Sequence, residues 1–371
     1  MGRLTLCKHF IRIDFCPMIR VLVVDDSDVD RKYISFALGR EPGIEVIGTA
    51  EDPYVARDMI SLLKPDVITL DLHMPRMDGL TFLGKMMASY PLPVIIVSSF
   101  TPKNSSHALK ALRMGALDTI SKPGLEYDYK EFSERLCLTV RGAAEARIQS
   151  ISETGSARTA PVKVKNASGK IIAIGSSTGG TKALEYLLNG LPPNLPGIVV
   201  VQHLPESFTR SFAARLNKLS SLTIKEAADN DEIKPGHVYI AKGDRHMTVG
   251  KRSGKKYIRI TDGEKVNFHR PSVDVLFNSV AEEIGPKATG VILTGMGSDG
   301  AEGLLKMRNK GARTIGQDEA SSVVYGMPKA AFEIGAVQDQ LPLQEIAGRI
   351  LKIVGNPKNE PDANALKQCV V

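Results

Sequence analysis

Three short stretches of the chain carry side chains that together suit acyl transfer. Gly175-Ser176-Ser177-Thr178-Gly179-Gly180 follows an apolar run, precedes a helix-like segment and matches G-x-S-x-G centred on Ser177. Gln202-His203-Leu204-Pro205 and Thr294-Gly295-Met296-Gly297-Ser298-Asp299-Gly300 also begin where apolar runs end. A serine hydroxyl is a poor nucleophile at its own pKa, so a neutral imidazole must take its proton. A carboxylate must then fix the imidazole tautomer and stabilise the imidazolium. Ser177, His203 and Asp299 supply these three groups. Each stretch also has a plainer reading. The first could be a Gly-rich helix start capped by serines, His203 a structural histidine and Asp299 a helix N-cap. The first stretch is not a phosphate-binding loop of the Walker type, because Thr181-Lys182 stands where Lys-Ser/Thr is required, and it lacks the G-x-G-x-x-G of dinucleotide sites. Of the seven histidines, only His203 follows a clean apolar strand in this way. The order Ser, His, Asp differs from that of α/β-hydrolases, chymotrypsin and subtilisin.

A second constellation precedes it. Asp25-Asp26 and Asp71 terminate two apolar runs, a third ends in Ser98-Ser99 and a fourth leads to Ser121-Lys122-Pro123. Three carboxylates at one edge of a sheet repel one another unless a hard cation neutralises them, and Mg²⁺ is the oxygen-preferring candidate. A hydroxyl and an ammonium at the same edge suit a phosphoryl group. For any one Asp alone a cap or turn is the better reading; the set of DD, D, S and K favours a site.

These side chains need elements to hold them. Ile19–Val24, Ile44–Thr49, Val67–Leu70, Val94–Val97 and Leu117–Ile120 read as strands. Val29–Leu38, Tyr54–Leu63, Gly79–Ser89, Ser105–Met114 and Asp128–Ala146 read as the helices between and after them. Five strand–helix repeats predict a doubly wound parallel sheet with its site at the carboxyl ends of the strands. From Arg147 to Ser168 the periodicity dissolves into a Ser/Thr/Ala/Gly/Lys linker. A second α/β series follows, with strands Ile171–Gly175, Ile198–Gln202 and Gly290–Leu293. Its helices are Thr181–Leu188, Phe208–Leu219, Val273–Ile284 and Ala301–Asn309. The stretch Thr223–Thr261 predicts a local antiparallel excursion.

At 371 residues the chain suits two α/β domains and a connector. The net charge of +7 does not by itself choose between nucleic acid and an acidic protein partner, but tryptophan is absent and no basic recognition helix is evident. Nucleic acid is therefore not expected. Cys7, Cys16, Cys137 and Cys369 form no CxxC pair, which points to a reducing compartment. No apolar run is long enough to span a bilayer, so membrane insertion is not expected either. Residues 1–17 read as an appendage and not as a signal peptide, since Arg12 and Asp14 interrupt their apolar patch.

The first constellation of acids, with Asp71-Leu72-His73-Met74-Pro75-Arg76-Met77-Asp78-Gly79, resembles the receiver domain of two-component response regulators over residues 18–146. That resemblance implies Asp71 as phosphoacceptor and Asp26, Asp71 and the His73 backbone carbonyl as Mg²⁺ ligands, with Asp25 acting through water. It implies Ser98 as the switch hydroxyl and Lys122 as the phosphoryl contact. With the linker and the three hydrolase stretches, the chain resembles the chemotaxis protein-glutamate methylesterases from about Met18 to Gly355. Further family-like segments are His269-Arg270-Pro271-Ser272-Val273-Asp274 and Gly326-Met327-Pro328. This resemblance implies a flavodoxin-like receiver and an α/β methylesterase domain with a mostly parallel sheet. It implies Ser177 as nucleophile, His203 as general base and acid and Asp299 as orienting carboxylate. The backbone N–H groups of Thr178 and Met296 would form an oxyanion hole, such donors being worth roughly 3 kcal/mol each. Ser176 departs from the small residue usual before the nucleophile.

The expected division is an extension over 1–17, a receiver over 18–146, a linker over 147–168, a catalytic domain over 169–355 and a tail over 356–371. The expected chemistry is hydrolysis of glutamate γ-methyl esters, and deamidation of certain glutamines, on chemoreceptors in the cytoplasm. The phosphodonor would be a chemotaxis histidine kinase, the receiver would require Mg²⁺ and the esterase would need no cofactor. The unphosphorylated receiver would cover the catalytic face. A response regulator with a purely binding output lacks sequence support, and a serine hydrolase of small esters is not separated from this reading by the triad alone.

Overall fold

The structure, a computed structural model, describes residues 18–99, 105–122, 129–146 and 169–355. The expected extension, linker and tail, and with them Cys7, Cys16 and Cys369, lie outside the described residues.

The first unit alternates strands and helices: β1 (Ile19–Val24), α1 (Asp28–Gly39), β2 (Ile44–Ala50), α2 (Pro53–Leu63), β3 (Val67–Leu70), α3 (Gly79–Ser89), β4 (Val94–Ser98), α4 (Ser105–Met114), β5 (Asp118–Ser121) and α5 (Tyr129–Ala144). The strands pair in the order β2-β1-β3-β4-β5, every pair parallel. Burial on both faces explains why β3 and β4 are unbroken apolar or nearly apolar runs. The helices start where side chains replace missing backbone partners: Ser27 accepts from Asp30 N–H, Asp52 from Tyr54 and Val55 N–H, and Asp78 from Thr81 N–H. Since β1 lies between β2 and β3, the carboxyl ends of β1 and β3 are neighbours, and Asp25, Asp26 and Asp71 follow from that order. The expected helix start at Asp128 falls outside the described residues.

The second unit runs β6 (Ile171–Ser176), α6 (Gly180–Asn189), β7 (Gly197–Gln202), α7 (Glu206–Leu219), β8 (Thr223–Glu226), β9 (His237–Ile240), β10 (His246–Arg252), β11 (Lys255–Thr261), α8 (Val273–Glu283), β12 (Ala288–Ile292), α9 (Ala301–Asn309), β13 (Arg313–Gln317), α10 (Met327–Glu333), β14 (Asp339–Leu341) and α11 (Leu343–Gly355). Seven of these strands form one sheet in the order β14-β13-β12-β6-β7-β9-β8, again with every pair parallel. The antiparallel excursion is therefore narrower than the sequence suggested. β8 and β9 join the main sheet in parallel, and only β10 and β11 form a separate antiparallel hairpin. The short apolar runs of β8 and β9 leave their pairing direction to the intervening loop, which periodicity does not encode.

In this order β12, β6 and β7 are adjacent, with β6 in the middle. The loops leaving the three carry Asp299, Ser177 and His203. The chain fills the β7 side first and returns later to the β12 side, so the gap beside β6 is the crevice in which a doubly wound sheet places its ligand.

Candidate active site

The loop after β6 is shaped by close approaches. Gly179 has φ of 77°, and a Cβ there would lie 2.6 Å from the Val323 side chain. Gly295 passes so close that a Cβ would lie 2.8 Å from Ser177 Cβ. Ser177 N–H donates to Thr294 C=O at 3.0 Å, and Thr294 Oγ1 donates to Thr178 C=O at 3.0 Å, tying the β6 and β12 loops together. Gln202 at the end of β7 joins the third loop. Its Oε1 accepts from Ser176 Oγ at 2.7 Å and its Nε2 donates to Ser177 C=O at 2.9 Å.

The two adjacent serines are thereby distinguished. Ser176 is wholly buried and its hydroxyl is committed to Gln202. Ser177 borders a cavity of about 580 Å³, together with Thr178, His203, His269 and Met296. Its hydroxyl forms no hydrogen bond among the described residues, and neither do the amides of Thr178 and Met296.

His203 Nε2 lies 2.9 Å from Asp299 Oδ2. Asp299 is nearly inaccessible and accepts further bonds from Val273 N–H, Ser272 Oγ, Asp274 N–H and Asn267 Nδ2. Burial pushes this carboxyl upward. The bond from His203, the nearby charges of His203 and His269 and the bond from Asn267 outweigh burial and hold it well below the usual carboxylate range. An ionised carboxylate can only accept, so His203 carries its proton on Nε2. The lone pair is then on Nδ1, which is buried without a hydrogen-bond partner. The nitrogens are exchanged relative to the chymotrypsin arrangement, in which Nδ1 faces the carboxylate.

Beside His203 stands His269, its ring centroid 3.7 Å away and its plane turned by 84°. Burial, the neighbouring His203, and the charges of Arg135 and Lys265 depress its pKa well below the usual histidine value, against the opposing pull of Asp299. It arrives on a loop in which Asn267 and Phe268 both have positive φ, 51° and 65°. His269 and Asn267 were not assigned by sequence reasoning. Only the segment beginning at His269 gave a signal, and no apolar strand leads into it.

The receiver acids converge as expected. Ligand atoms of Asp25, Asp26 and Asp71 all lie within 4.8 Å of one another. Asp71 Oδ1 accepts from Ser98 Oγ at 2.6 Å, and Asp71 Oδ2 accepts from Lys122 Nζ at 2.6 Å. Lys122 Nζ also lies 2.7 Å from Asp25 Oδ2 and 2.8 Å from Asp30 Oδ2. Burial favours the neutral amine, but these three carboxylates prevail and raise its pKa. Burial pushes Asp25 up to about 6, with Lys122 opposing and Asp71 adding to the shift. Asp30 was not foreseen; it lies in the first turn of α1, close after the end of β1, and its carboxylate reaches the same lysine. An all-oxygen donor set of this kind fits a hard divalent cation.

Comparison with known proteins decides the family. The CheB methylesterase family model matches residues 172–350 and the response regulator receiver domain model matches 21–131. The protein-glutamate methylesterase/protein-glutamine glutaminase 2 of Syntrophus aciditrophicus is 52% identical, covering 91% of this chain and 99% of that protein. The chain belongs to this family.

The protein-glutamate methylesterase/protein-glutamine glutaminase of Salmonella typhimurium is 49% identical over 90% of this chain and 96% of its own length. The catalytic-domain crystal structure of the Thermotoga maritima CheB methylesterase is 44% identical, covering 50% of this chain and 99% of that one with a TM-score of 0.49. This family member is thus a response regulator and a hydrolase of the protein-glutamate methylesterase/protein-glutamine glutaminase class.

The receiver meets the catalytic unit at the cavity. Asp118, Glu131, Arg135 and Thr139 line it from the receiver side. Thr178 Oγ1 donates to Asp118 Oδ2 at 2.6 Å, and Lys265 pairs with Glu131. A Cβ on Gly142 of α5 would lie 2.4 Å from Met296 Sδ, so the α5 backbone presses on that side chain. No helix among the described residues is long and apolar enough to cross a membrane.

Proposed function

We propose that Ser177 is the nucleophile that hydrolyses glutamate γ-methyl esters on chemoreceptors. His203 acts through Nδ1, and Asp299 holds the imidazole. The observation that carries this reading is the pairing of an uncommitted Ser177 hydroxyl with a histidine whose vacant nitrogen is Nδ1. His203 Nδ1 takes the proton as Ser177 Oγ adds to the ester carbonyl. The oxyanion develops against the free amides of Thr178 and Met296. Collapse breaks the C–O bond, His203 returns the proton and methanol leaves. Water, deprotonated by the same nitrogen, then adds to the acyl-enzyme, the bond to Ser177 Oγ breaks as His203 returns that proton to it, and the glutamate carboxylate is released. A glutamine follows the same course with ammonia as the leaving group.

In the receiver, Asp71 accepts a phosphoryl group from a chemotaxis histidine kinase, and Ser98 and Lys122 turn to its oxygens. Asp26, Asp71 and the His73 carbonyl would hold Mg²⁺, with Asp25 acting through water; the His73 carbonyl accepts no hydrogen bond among the described residues. When bound, the cation neutralises charge on the acceptor and the incoming group. Residues 18–146 serve as receiver and 169–355 as catalytic domain, joined by 147–168 and flanked by 1–17 and 356–371, in a cytoplasmic setting. Release of the receiver from the cavity after phosphorylation opens the site.

Methanol release from methylated chemoreceptor membranes, with and without a small-molecule phosphodonor and Mg²⁺, tests the whole reading. Release should rise with the donor and should not rise in Asp71→Asn. No release from folded protein under either condition would overturn it.

A further inference from the structure

Helix α5 lies over the mouth of the catalytic cavity along one stripe. Glu131, Arg135, Leu138 and Thr139 line the cavity, and Gly142 packs on Met296. These positions recur at three- and four-residue intervals, which is one face of a helix followed for about three turns. The catalytic unit therefore presents a groove that already receives a helix. One end of the groove is marked by charge. Lys265, an exposed residue, pairs with Glu131 of α5 and has no ion-pair partner within its own unit among the described residues. The nearby Arg270, by contrast, is held by Asp244. When the receiver leaves, Lys265 loses its counter-charge beside an open groove.

We propose that α5 stands in for the substrate, and that Lys265 is a specificity-determining cation which receives an acidic side chain of the substrate helix. The register follows from α5. The acidic residue sits where Glu131 sits, about one to two helical turns from the ester, whose place is that of Arg135 to Thr139. The occupant is an acidic amphipathic helix bearing the glutamyl ester on the same face as its acid. The inference rests on the methylesterase reading above and adds how that site selects its substrate.

The test uses the full chain, phosphodonor-activated for methylated receptor and unphosphorylated for a small neutral ester. Lys265→Glu should raise KM for the receptor about tenfold, with kcat within about twofold of the parent, since a partly exposed ion pair becomes a repulsion. Lys265→Gln should raise KM about threefold, and it serves if the reversal does not fold. The double variant Lys265→Glu, Glu131→Lys should regain the low unphosphorylated small-ester rate of the parent, because the bridge reforms with reversed sign, while its receptor KM stays raised. An unchanged receptor KM in both single variants, beside normal methanol release by the parent, would overturn this inference alone. A fall in kcat at constant KM would also overturn it. A parent that cleaves the small ester but releases no methanol would instead overturn the functional reading on which it rests.

Discussion

The Thr178 hydroxyl donates to Asp118 Oδ2 at 2.6 Å, so a receiver carboxylate at the start of β5 grips the residue that follows Ser177. Asp118 pairs with Ile95 of β4, and β4 ends in Ser98, which is bonded to Asp71. The phosphorylation pocket and the serine loop are thus joined by two adjacent strands and one charge-assisted bond. Asp118→Ala should raise small-ester hydrolysis by the unphosphorylated chain roughly tenfold, the loss expected for a hydrogen bond to a charged group. An unchanged basal rate would show that the remaining contacts of α5 suffice for closure.

Ser176 and Ser177 should respond differently to the same substitution. Ser177→Ala removes the nucleophile and should lower kcat by a factor on the order of 10⁶, as in other serine hydrolases. Ser176→Ala leaves the nucleophile but strands buried Gln202 Oε1, costing about 1–3 kcal/mol of stability with the activity largely kept. Thermal unfolding and ester hydrolysis on both variants check the assignment, and an inactive Ser176→Ala with unchanged unfolding would reverse it.

Asp299→Asn should lower kcat by about 10⁴ while leaving KM nearly constant. The carboxylate accepts from five donors, and an amide in its place must turn an NH₂ toward some of them. If that amide donates to His203 Nε2, the imidazole proton moves to Nδ1 and the base is lost. Proton NMR of the ring in wild type should place the proton on Nε2.

The parts of the molecule written in short-range patterns were readable before the structure. Val/Ile-rich runs followed within three residues by Asp25, Asp71, Ser177 and His203 gave both the strands and the residues at their ends, because a buried parallel strand must be apolar and its exit need not be. Asp299 follows β12 after a longer glycine-rich loop and was reached the same way. His269 and Asn267 were not. They are placed by a loop with two consecutive residues at positive φ, which has no period. Their importance comes from packing on His203 and Asp299, contacts made across 66 and 32 residues of sequence. Asp118 escaped for a similar reason, since its partner lies in the other unit. The parallel pairing of β8 with β9 departs from the expected antiparallel excursion, because short strand-like runs separated by glycines between Thr223 and Thr261 do not encode pairing direction. By contrast, α11 buries Leu343, Ile346, Ala347, Ile350, Leu351 and Val354, a helical period that was present in the sequence and left unassigned.

Asp299 and His269 should both stay silent on the acid limb of the esterase. Asp299 is held well below the usual carboxylate range and His269 well below the usual histidine value, so the first stays ionised and the second neutral over the working range. Neither group should therefore add to the slope of the acid side in a plot of log kcat against pH. A limb that steepens in the wild type and relaxes when His269 is replaced would contradict this. His269→Phe should keep the slope while lowering kcat, since a ring of similar shape supports the imidazole but carries no nitrogen. Stability should follow Asp299 itself. Because the folded Asp299 pKa is depressed, its contribution is fully present above about pH 4, where the unfolded group ionises, and is lost only as pH falls through the folded value. The difference in melting temperature between wild type and Asp299→Asn should accordingly stay constant above about pH 4 and shrink below it, and a difference that already shrinks at higher pH would contradict the depressed carboxyl.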